Sequence, residues 1–236
     1  MSHGGGVWGE LYSGLKLLSL PGNPREFRLP TEKEVERVAI KRLSIHRVRE
    51  HLAAGRMENP LKGIERMRQL GDNHHVLELV EALQDENYLY IVMPFCEGGD
   101  LAQWRNNPDG IRERFRGFGQ VFKNILENMK YLHDHDLRVC HRILSLDNCM
   151  VLGNRIVFIN LAMSFRIPPT SNTNHTTQNG SYWKVPYLPP EVASPGTGYG
   201  LTPWVVNCGV WLSCCSTYFR GMQRMILDGD VLGNPI

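Results

Sequence analysis

The order of hydrophobic patterns between residues 36 and 95 limits the possible folds most. The segment ERVAIKRL, residues 36–43, alternates β-branched and charged residues and predicts a strand. The segment ENPLKGIERMRQLG predicts a helix, with Asn59 as its N-cap, Pro60 at the first helical position and Gly71 just beyond its end. Two further apolar runs, HVLELVEALQ and YLYIVMPF, predict a hairpin. The order strand, helix, strand, strand indicates an α+β arrangement.

A different pattern follows Gly98-Gly99, where the chain becomes mainly helical. The runs NCMVL and RIVFI form a predicted hairpin around Gly153-Asn154. Residues 166–181 are polar and rich in turn formers, and residues 204–219 predict a buried helix. A long amphipathic helix is expected from six apolar residues: Phe115, Phe118, Phe122, Ile125, Met129 and Leu132.

Composition narrows the class of protein. The chain has 236 residues, 42% of them hydrophobic and 21% charged, with a formal net charge of +2, which is typical of a globular protein. Interspersed charges indicate neither a nucleic-acid nor a membrane partner. The apolar stretch 204–219 is shorter than the roughly 20 residues that a membrane span requires. Six cysteines without C-x-x-C spacing and a start without an apolar leader predict reduced thiols and a cytoplasmic location.

Six short motifs, taken in order, resemble those of the eukaryotic protein kinase superfamily. Each is weak alone, but their succession covers nearly the whole chain. They are GGGVWGELY (4–12) for the glycine-rich loop, VAIK (38–41) for the lysine strand, MPFCEGGDL (93–101) for the hinge, HRILSLDN (141–148) for H-R-D-L-x-x-x-N, INLAMS (159–164) for D-F-G, and PPE (189–191) for A-P-E.

The resemblance implies a two-lobed fold and an ATP site. The smaller lobe, residues 1–95, is expected to hold an antiparallel sheet and one main helix. The larger lobe, residues 96–236, is expected to be mostly helical and to stop after the helix 204–219, short of the usual domain end. Within the second lobe, Trp204 stands where an aspartate usually anchors the catalytic loop.

The same resemblance assigns candidate nucleotide-binding residues, for which structural alternatives also exist. Glycines let the backbone approach phosphates, although a glycine-rich start also suits a linker. The lysine would contact the α- and β-phosphates or lie at a strand edge, Asp100 would bind the ribose or cap the next helix, and the adenine contacts suit core packing equally. The candidates are Gly4, Gly6 and Gly9 for phosphates; Lys41; Leu11, Ala39 and Met150 around adenine; Phe95 and Cys96 as backbone contacts at the hinge, with Met93 as the gatekeeper behind them; Asp100; and Asn148.

The departures from the family pattern concentrate on the groups that perform phosphoryl transfer. Ile143 stands for the aspartate that accepts the substrate proton, and Ser145 for a lysine two residues later. Loss of a positioned base costs about 10²–10⁴ in rate. Asn160 stands for the main Mg²⁺-binding aspartate, so Asn148 and Asn160 would bind Mg²⁺ only weakly, because this ion favours carboxylates. No catalytic residue is therefore assigned.

The family's lysine also needs a glutamate partner from the helix that follows. The alignment of motifs puts that position at Gly63, which has no side chain. Residues 61, 64, 67 and 70 are apolar and predict one buried stripe. Glu58 and Glu65 are then expected on the opposite, solvent-facing side, which leaves Lys41 without a carboxylate partner.

Three functions are compatible with these residues. The leading one is a pseudokinase-like binding or scaffold module that keeps an ATP cleft, with phosphotransfer impaired or absent and the polar loop 166–181 available to a protein partner. The second is a weakly active Ser/Thr protein kinase, since HRILSLDN lacks the signature of tyrosine specificity. The third is a non-functional, truncated kinase fragment that folds poorly and exposes an apolar patch.

Overall fold

The computed structural model describes residues 2–6, 9–20, 23–104, 114–115, 117–134 and 138–166. Within them, an antiparallel sheet with helices beneath it precedes a unit that contains more helix, so the predicted α+β class is confirmed. The predicted helix 204–219, the PPE motif and all but the first residue of the polar loop lie outside the described residues. No helix in the described ranges is both long and apolar enough to cross a membrane.

Five antiparallel strands form the main sheet, in the order β1-β2-β5-β7-β6. The lysine strand β5 lies at its centre, paired with β2 on one side and β7 on the other. The Asp85 carboxylate accepts hydrogen bonds from the Asn87 and Tyr88 amides, both at 2.7 Å, and so closes the predicted hairpin. The strands are β1 (Ser2–Gly6), β2 (Gly9–Leu15), β5 (Arg37–Ser44), β6 (Glu81–Gln84) and β7 (Tyr88–Pro94).

Between β2 and β5 the chain forms a second, separate hairpin. Its strands are β3 (Leu18–Leu20) and β4 (Asn23–Arg28). Both guanidinium nitrogens of Arg28 donate to the Glu34 carboxylate, at 2.6 and 2.8 Å, which ties the hairpin to the segment leading into β5. Leu29 is 74% exposed beside it, so this hairpin adds little to the core.

Two helices pack under the sheet. The predicted helix is α2 (Pro60–Leu70), with Asn59 as N-cap and Gly71 after its end, as expected. Helix α1 (Ile45–Ala53) was not predicted, although Ser44 caps its start and Gly55 follows it with a positive φ. The first residue of the predicted stripe, Leu61, is 51% exposed. A spacing of three falls short of the 3.6-residue turn, so a stripe of that spacing rotates around the helix.

The remaining described elements form the second unit. Its largest helix, α4, buries Val121, Ile125, Met129 and Leu132, whereas Phe122 is 36% exposed and lies outside the predicted buried face. The predicted hairpin around Gly153-Asn154 is confirmed. The elements are α3 (Leu101–Trp104), α4 (Phe118–Asp134), β8 (Val139–Cys140), β9 (Cys149–Leu152), β10 (Arg155–Phe158), β11 (Phe165–Arg166), and 3-10 helices at Leu146–Asn148 and Leu161–Met163.

Separate apolar clusters stabilise the two units. Under the sheet, β5, β7, α1 and α2 contribute Leu43, Val48, Ile64, Leu89 and Ile91. In the second unit, α4 packs on β8, β9 and β10 through residues such as Leu132, Val139, Val151, Ile156 and Phe158. Backbone hydrogen bonds between residues 75–77 and Phe158 join them, because Phe158 donates to His75 and accepts from Leu77, both at 2.9 Å.

Candidate nucleotide cleft

A cavity of about 330 Å³ lies where the two units meet. Its roof is the inner face of the sheet, formed by β2, β5 and β7. Its back wall is helix α2, and its floor includes β9 and the segment that precedes and forms the second 3-10 helix. The walls are mostly apolar, with Lys41 and Glu58 among the few charged side chains. Volume and lining are typical of a site for a small organic ligand.

Most residues that the sequence assigned to adenine line this cavity. Leu11 and Ala39 lie in the roof, and Met150 lies in the floor opposite them. Met93, Phe95 and Cys96 line the edge at the connector between the two units. The Phe95 amide donates to the Arg37 carbonyl at 3.0 Å, and the Arg37 guanidinium lies 4.0 Å from the Phe95 ring centroid. The connector is thus held against β5.

The thiol of Cys96 is not activated. Burial, followed by the nearby negative charge of Glu97, raises the pKa of Cys96 to about 12. A neutral thiol is a weak nucleophile, so Cys96 contributes packing and backbone groups to the cavity edge.

Gly9, from the glycine-rich segment, begins β2 and lines the cavity. A Cβ atom there would lie 1.9 Å from the Arg42 carbonyl oxygen, so the pairing of β2 with β5 at this point requires glycine. The other two candidate glycines, Gly4 and Gly6, lie in the neighbouring strand β1.

Two other candidates point away from the cavity and are engaged locally. The Asp100 carboxylate accepts from the Gln103 amide at 2.9 Å and from the Gln103 side chain at 2.8 Å, so it caps α3. The side-chain amide of Asn148 donates to the Ile143 carbonyl at 2.7 Å and is 5% exposed. Neither residue lines the cavity.

The loop around Ile143 carries no carboxylate at the position of the family's base. Ile143 itself is half-buried. Ser145 donates its hydroxyl to the Asp147 carboxylate at 2.7 Å, so Asp147 is held within the loop. The neighbouring His141 is buried, which lowers its pKa to about 4, and its Nε2 lies 2.8 Å from the Ile159 carbonyl. A neutral His141 therefore acts as a structural link between the loop and β10.

Asn160, which stands where the resemblance expects the Mg²⁺-binding aspartate, lines the cavity. It has φ 66° and ψ 60°, a left-handed conformation that asparagine tolerates better than most residues. The donor set that Asn148 and Asn160 provide consists of neutral amides, and only Asn160 reaches the cavity. Mg²⁺ prefers carboxylates and phosphates, so the described residues do not fit a resident Mg²⁺. The described part of the chain contains no group of three acidic, His or Cys side chains suited to a metal.

Lys41 lies on the inner face of the sheet with its amine in the cavity. Strand β5 pairs it with Leu11 on β2 and Ile91 on β7, both apolar. Burial lowers the pKa of Lys41, while the negative charge of Glu58 acts in the opposite direction. The amine is thus the main positive group in the described cavity wall.

Gly63 brings α2 into direct contact with the segment that follows Asn160. A Cβ atom at Gly63 would lie 3.2 Å from both the nitrogen and the Cα of Ala162. The helix therefore packs against backbone where the family has a glutamate side chain. Glu65 is exposed and accepts from Gln69 at 2.9 Å, as predicted.

The prediction that Glu58 faces solvent is wrong, because Glu58 is half-buried and lines the cavity. Helical geometry does not apply to it, since the helix begins at Pro60 and Asn59 is its N-cap. The N-cap signal at Asn59-Pro60, read one residue further back, was sufficient to place Glu58 outside the helix. Glu58 is thus a residue of the candidate site that the helix pattern did not reveal.

Comparison with known proteins supports the resemblance to protein kinases. A family model described as protein tyrosine and serine/threonine kinase matches residues 4–202. The chain is 28% identical over 205 residues to calcium-dependent protein kinase 24 of Arabidopsis thaliana, covering 84% of this chain and 33% of that protein. It is 29% identical over 163 residues to serine/threonine-protein kinase PLK4 of Danio rerio, covering 66% and 15%. Sperm motility kinase 2B of Mus musculus is 25% identical over 152 residues, covering 63% and 30%. The chain spans a third or less of the length of these relatives.

Proposed function

The chain belongs to the protein tyrosine and serine/threonine kinase family, and we propose that it is a kinase-like module that binds ATP with phosphotransfer impaired or absent. The observation that supports this most is a selective loss. The cavity retains the apolar adenine walls and Lys41, whereas Ile143 and Asn160 replace the two aspartates that serve transfer. The cleft is assigned to the boundary between a lobe of residues 1–95 and a lobe of residues 96–236.

Binding relies on shape and one cation. Leu11, Ala39 and Met150 enclose a flat base between apolar surfaces and exclude water from it. The Lys41 ammonium offers its charge to phosphate oxygens at the inner end of the cavity. ATP, when bound, supplies a transferable phosphoryl group, but Ile143 has no atom that can accept a proton from an attacking hydroxyl.

The test is thermal unfolding of the purified chain with and without ATP. We expect ATP to raise the Tm of the parent protein, because a ligand that binds only the folded state stabilises it. A Lys41→Ala variant is expected to lose most of this shift, and Lys62→Ala, on the exposed side of α2, is the matched control and keeps it. A parent protein whose Tm does not respond to ATP contradicts the proposal.

A weakly active Ser/Thr kinase is the second candidate, because the relatives compared above are described as kinases, and PLK4 as a serine/threonine kinase. Transfer of labelled phosphate to generic protein substrates distinguishes the two. Turnover that disappears in Lys41→Ala would favour this candidate, and turnover equal in parent and variant would come from a contaminant.

A cytoplasmic location and a protein partner complete the proposal. The three described cysteines, Cys96, Cys140 and Cys149, are buried and form no disulfide with one another, which suits a reducing compartment. A module without efficient transfer would act by binding another protein, and the expected contact is the polar loop 166–181.

A further inference from the structure

The backbone next to Glu58 is held firmly at the edge of the cavity. The Asn59 amide donates to the Ala162 carbonyl at 3.0 Å. The Asn59 side chain accepts from the amides of Leu61 and Lys62, at 3.0 and 3.3 Å. These bonds hold Asn59 against both the start of α2 and the cavity floor. The backbone at the adjacent Glu58 is therefore fixed in position.

The register of the sheet separates Lys41 from the other carboxylate near the cavity, that of Glu10. Glu10 pairs directly with Arg42, so the two side chains share one face of the sheet, while the adjacent Lys41 points to the other face. The Glu10 carboxylate is bonded there to the Arg42 guanidinium and the Tyr12 hydroxyl. Its charge is therefore compensated on the outer face.

The other elements around Lys41 contribute no charge to the described cavity wall. Strand β7 contributes Ile91 and Met93, and helix α2 contributes Gly63, Ile64 and Met67. The segment after β10 contributes the neutral Asn160. Glu58 is thus the one carboxylate of the described lining that remains for Lys41.

We infer that Glu58 is the carboxylate that orients Lys41, in place of the side chain that is missing at Gly63. The counter-charge comes from the segment before α2 instead of from the helix itself. As a role toward ATP phosphates, this inference rests on the proposed function, but the electrostatic effect of Glu58 on Lys41 requires no ligand. Glu58 is a positioning residue and needs no contact with the nucleotide.

The electrostatics agree with this arrangement. Burial favours the neutral amine of Lys41, and the charge of Glu58 favours the ammonium. Glu58 has the same effect on His51 of α1, whose pKa is lowered by burial and by Arg56. His51 also senses Arg56, and the Arg142 guanidinium lies 3.7 Å from the sulfur of Met57, the residue before Glu58. Removal of the Glu58 charge must therefore make Lys41 easier to deprotonate.

The test is the pH profile of Lys41 acylation in the ligand-free protein, with the modified lysine identified by peptide mass spectrometry. The Glu58→Gln substitution keeps the shape of the side chain and removes its charge. The pH midpoint of Lys41 acylation is expected to fall in this variant. A shift of about half to one pKa unit corresponds to roughly 3- to 10-fold faster labelling below the midpoint. Glu65→Gln, which neutralises an exposed carboxylate on the neighbouring helix α2, is the control and is expected to follow the parent.

Glu58→Asp keeps the charge on a shorter side chain and is expected to restore much of the parent profile, which a purely structural role of Glu58 does not predict. A Glu58→Gln profile that coincides with those of the parent and of Glu65→Gln overturns the inference. Circular dichroism of each variant verifies its fold. If Glu58→Gln does not fold, a pH midpoint of Lys41 acylation in Glu58→Asp above that of the parent overturns the inference.

Thermal shifts with ATP separate this inference from the proposed function. Suppose that the pH midpoint of Lys41 acylation falls in Glu58→Gln but ATP does not change the Tm of the parent protein. This result supports the role of Glu58 and contradicts the nucleotide cleft. An ATP response in the parent with an unchanged Lys41 midpoint supports the cleft and contradicts the role of Glu58.

Discussion

Single residues determine how closely the parts of the cleft approach each other. Gly63 has no side chain, and Ala162 lies where a Cβ atom would point. Asn160 adopts a left-handed conformation just before that contact. Gly63 and Asn160, which stand where the resemblance expects acidic residues, therefore both lie at the close contact between α2 and the cavity floor.

This contact predicts that the family's glutamate cannot simply be restored. In Gly63→Glu the new Cβ atom would lie 3.2 Å from the nitrogen and Cα of Ala162, so either α2 or that backbone must shift. We expect a loss of about 1–3 kcal/mol in the free energy of unfolding, measured in urea. Leu61→Glu, at a position that is 51% exposed on the same helix, is the control and is expected to change stability little. Equal stability of Gly63→Glu and the parent would contradict the close packing.

At the scale of elements, α2 connects the sheet to the cavity floor. Ile64 packs into the cluster under the sheet, and Asn59 binds Ala162 through its backbone. The start of the helix thus has two functions, since it caps α2 and also fixes the segment that carries Glu58.

The N-cap can be tested directly. Asn59→Ala removes the acceptor for two helix amides, and we expect the free energy of unfolding to fall by about 0.5–2 kcal/mol. Asn59→Asp keeps an acceptor oxygen and is expected to remain close to the parent. Urea unfolding of the three proteins compares them, and equal stability of Asn59→Ala would contradict the role of the cap.

Local signals predicted the elements well when they were complete. Asn59, Pro60 and Gly71 defined both ends of α2, and the polar residues 85–87 located a turn between two apolar runs. Helix α1 was missed because it follows β5 without a connecting loop, so its pattern merges with that of the strand. Glu58 was misplaced because helix periodicity was extended one residue beyond the cap. Asp100 caps α3, which was one of its two predicted alternatives, and Asn148 bonds to Ile143 within its own loop. The sequence pattern alone did not decide between these local bonds and contact with a ligand.

At the scale of the whole molecule, the cavity lies between two apolar clusters that α2 connects, because its Ile64 packs in one cluster and its Leu70 in the other. The sheet has its own apolar core, and α4 with β8–β10 has another. Leu77 and Cys96 pack with Val157 between them, close to the cavity. The proposed cleft lies at this boundary, where apolar walls meet Lys41 and where Asn160 stands for the metal-binding aspartate that the resemblance expects.

We propose that the cleft binds a nucleotide without holding Mg²⁺. The most direct measurement is the ATP-induced shift in Tm with and without Mg²⁺, in the parent and in Asn160→Asp. We expect that Mg²⁺ does not increase the ATP-induced shift in Tm of the parent protein. In Asn160→Asp we expect the shift to grow with Mg²⁺, because the restored carboxylate can bind the ion. A parent protein that responds to ATP only when Mg²⁺ is present would contradict it.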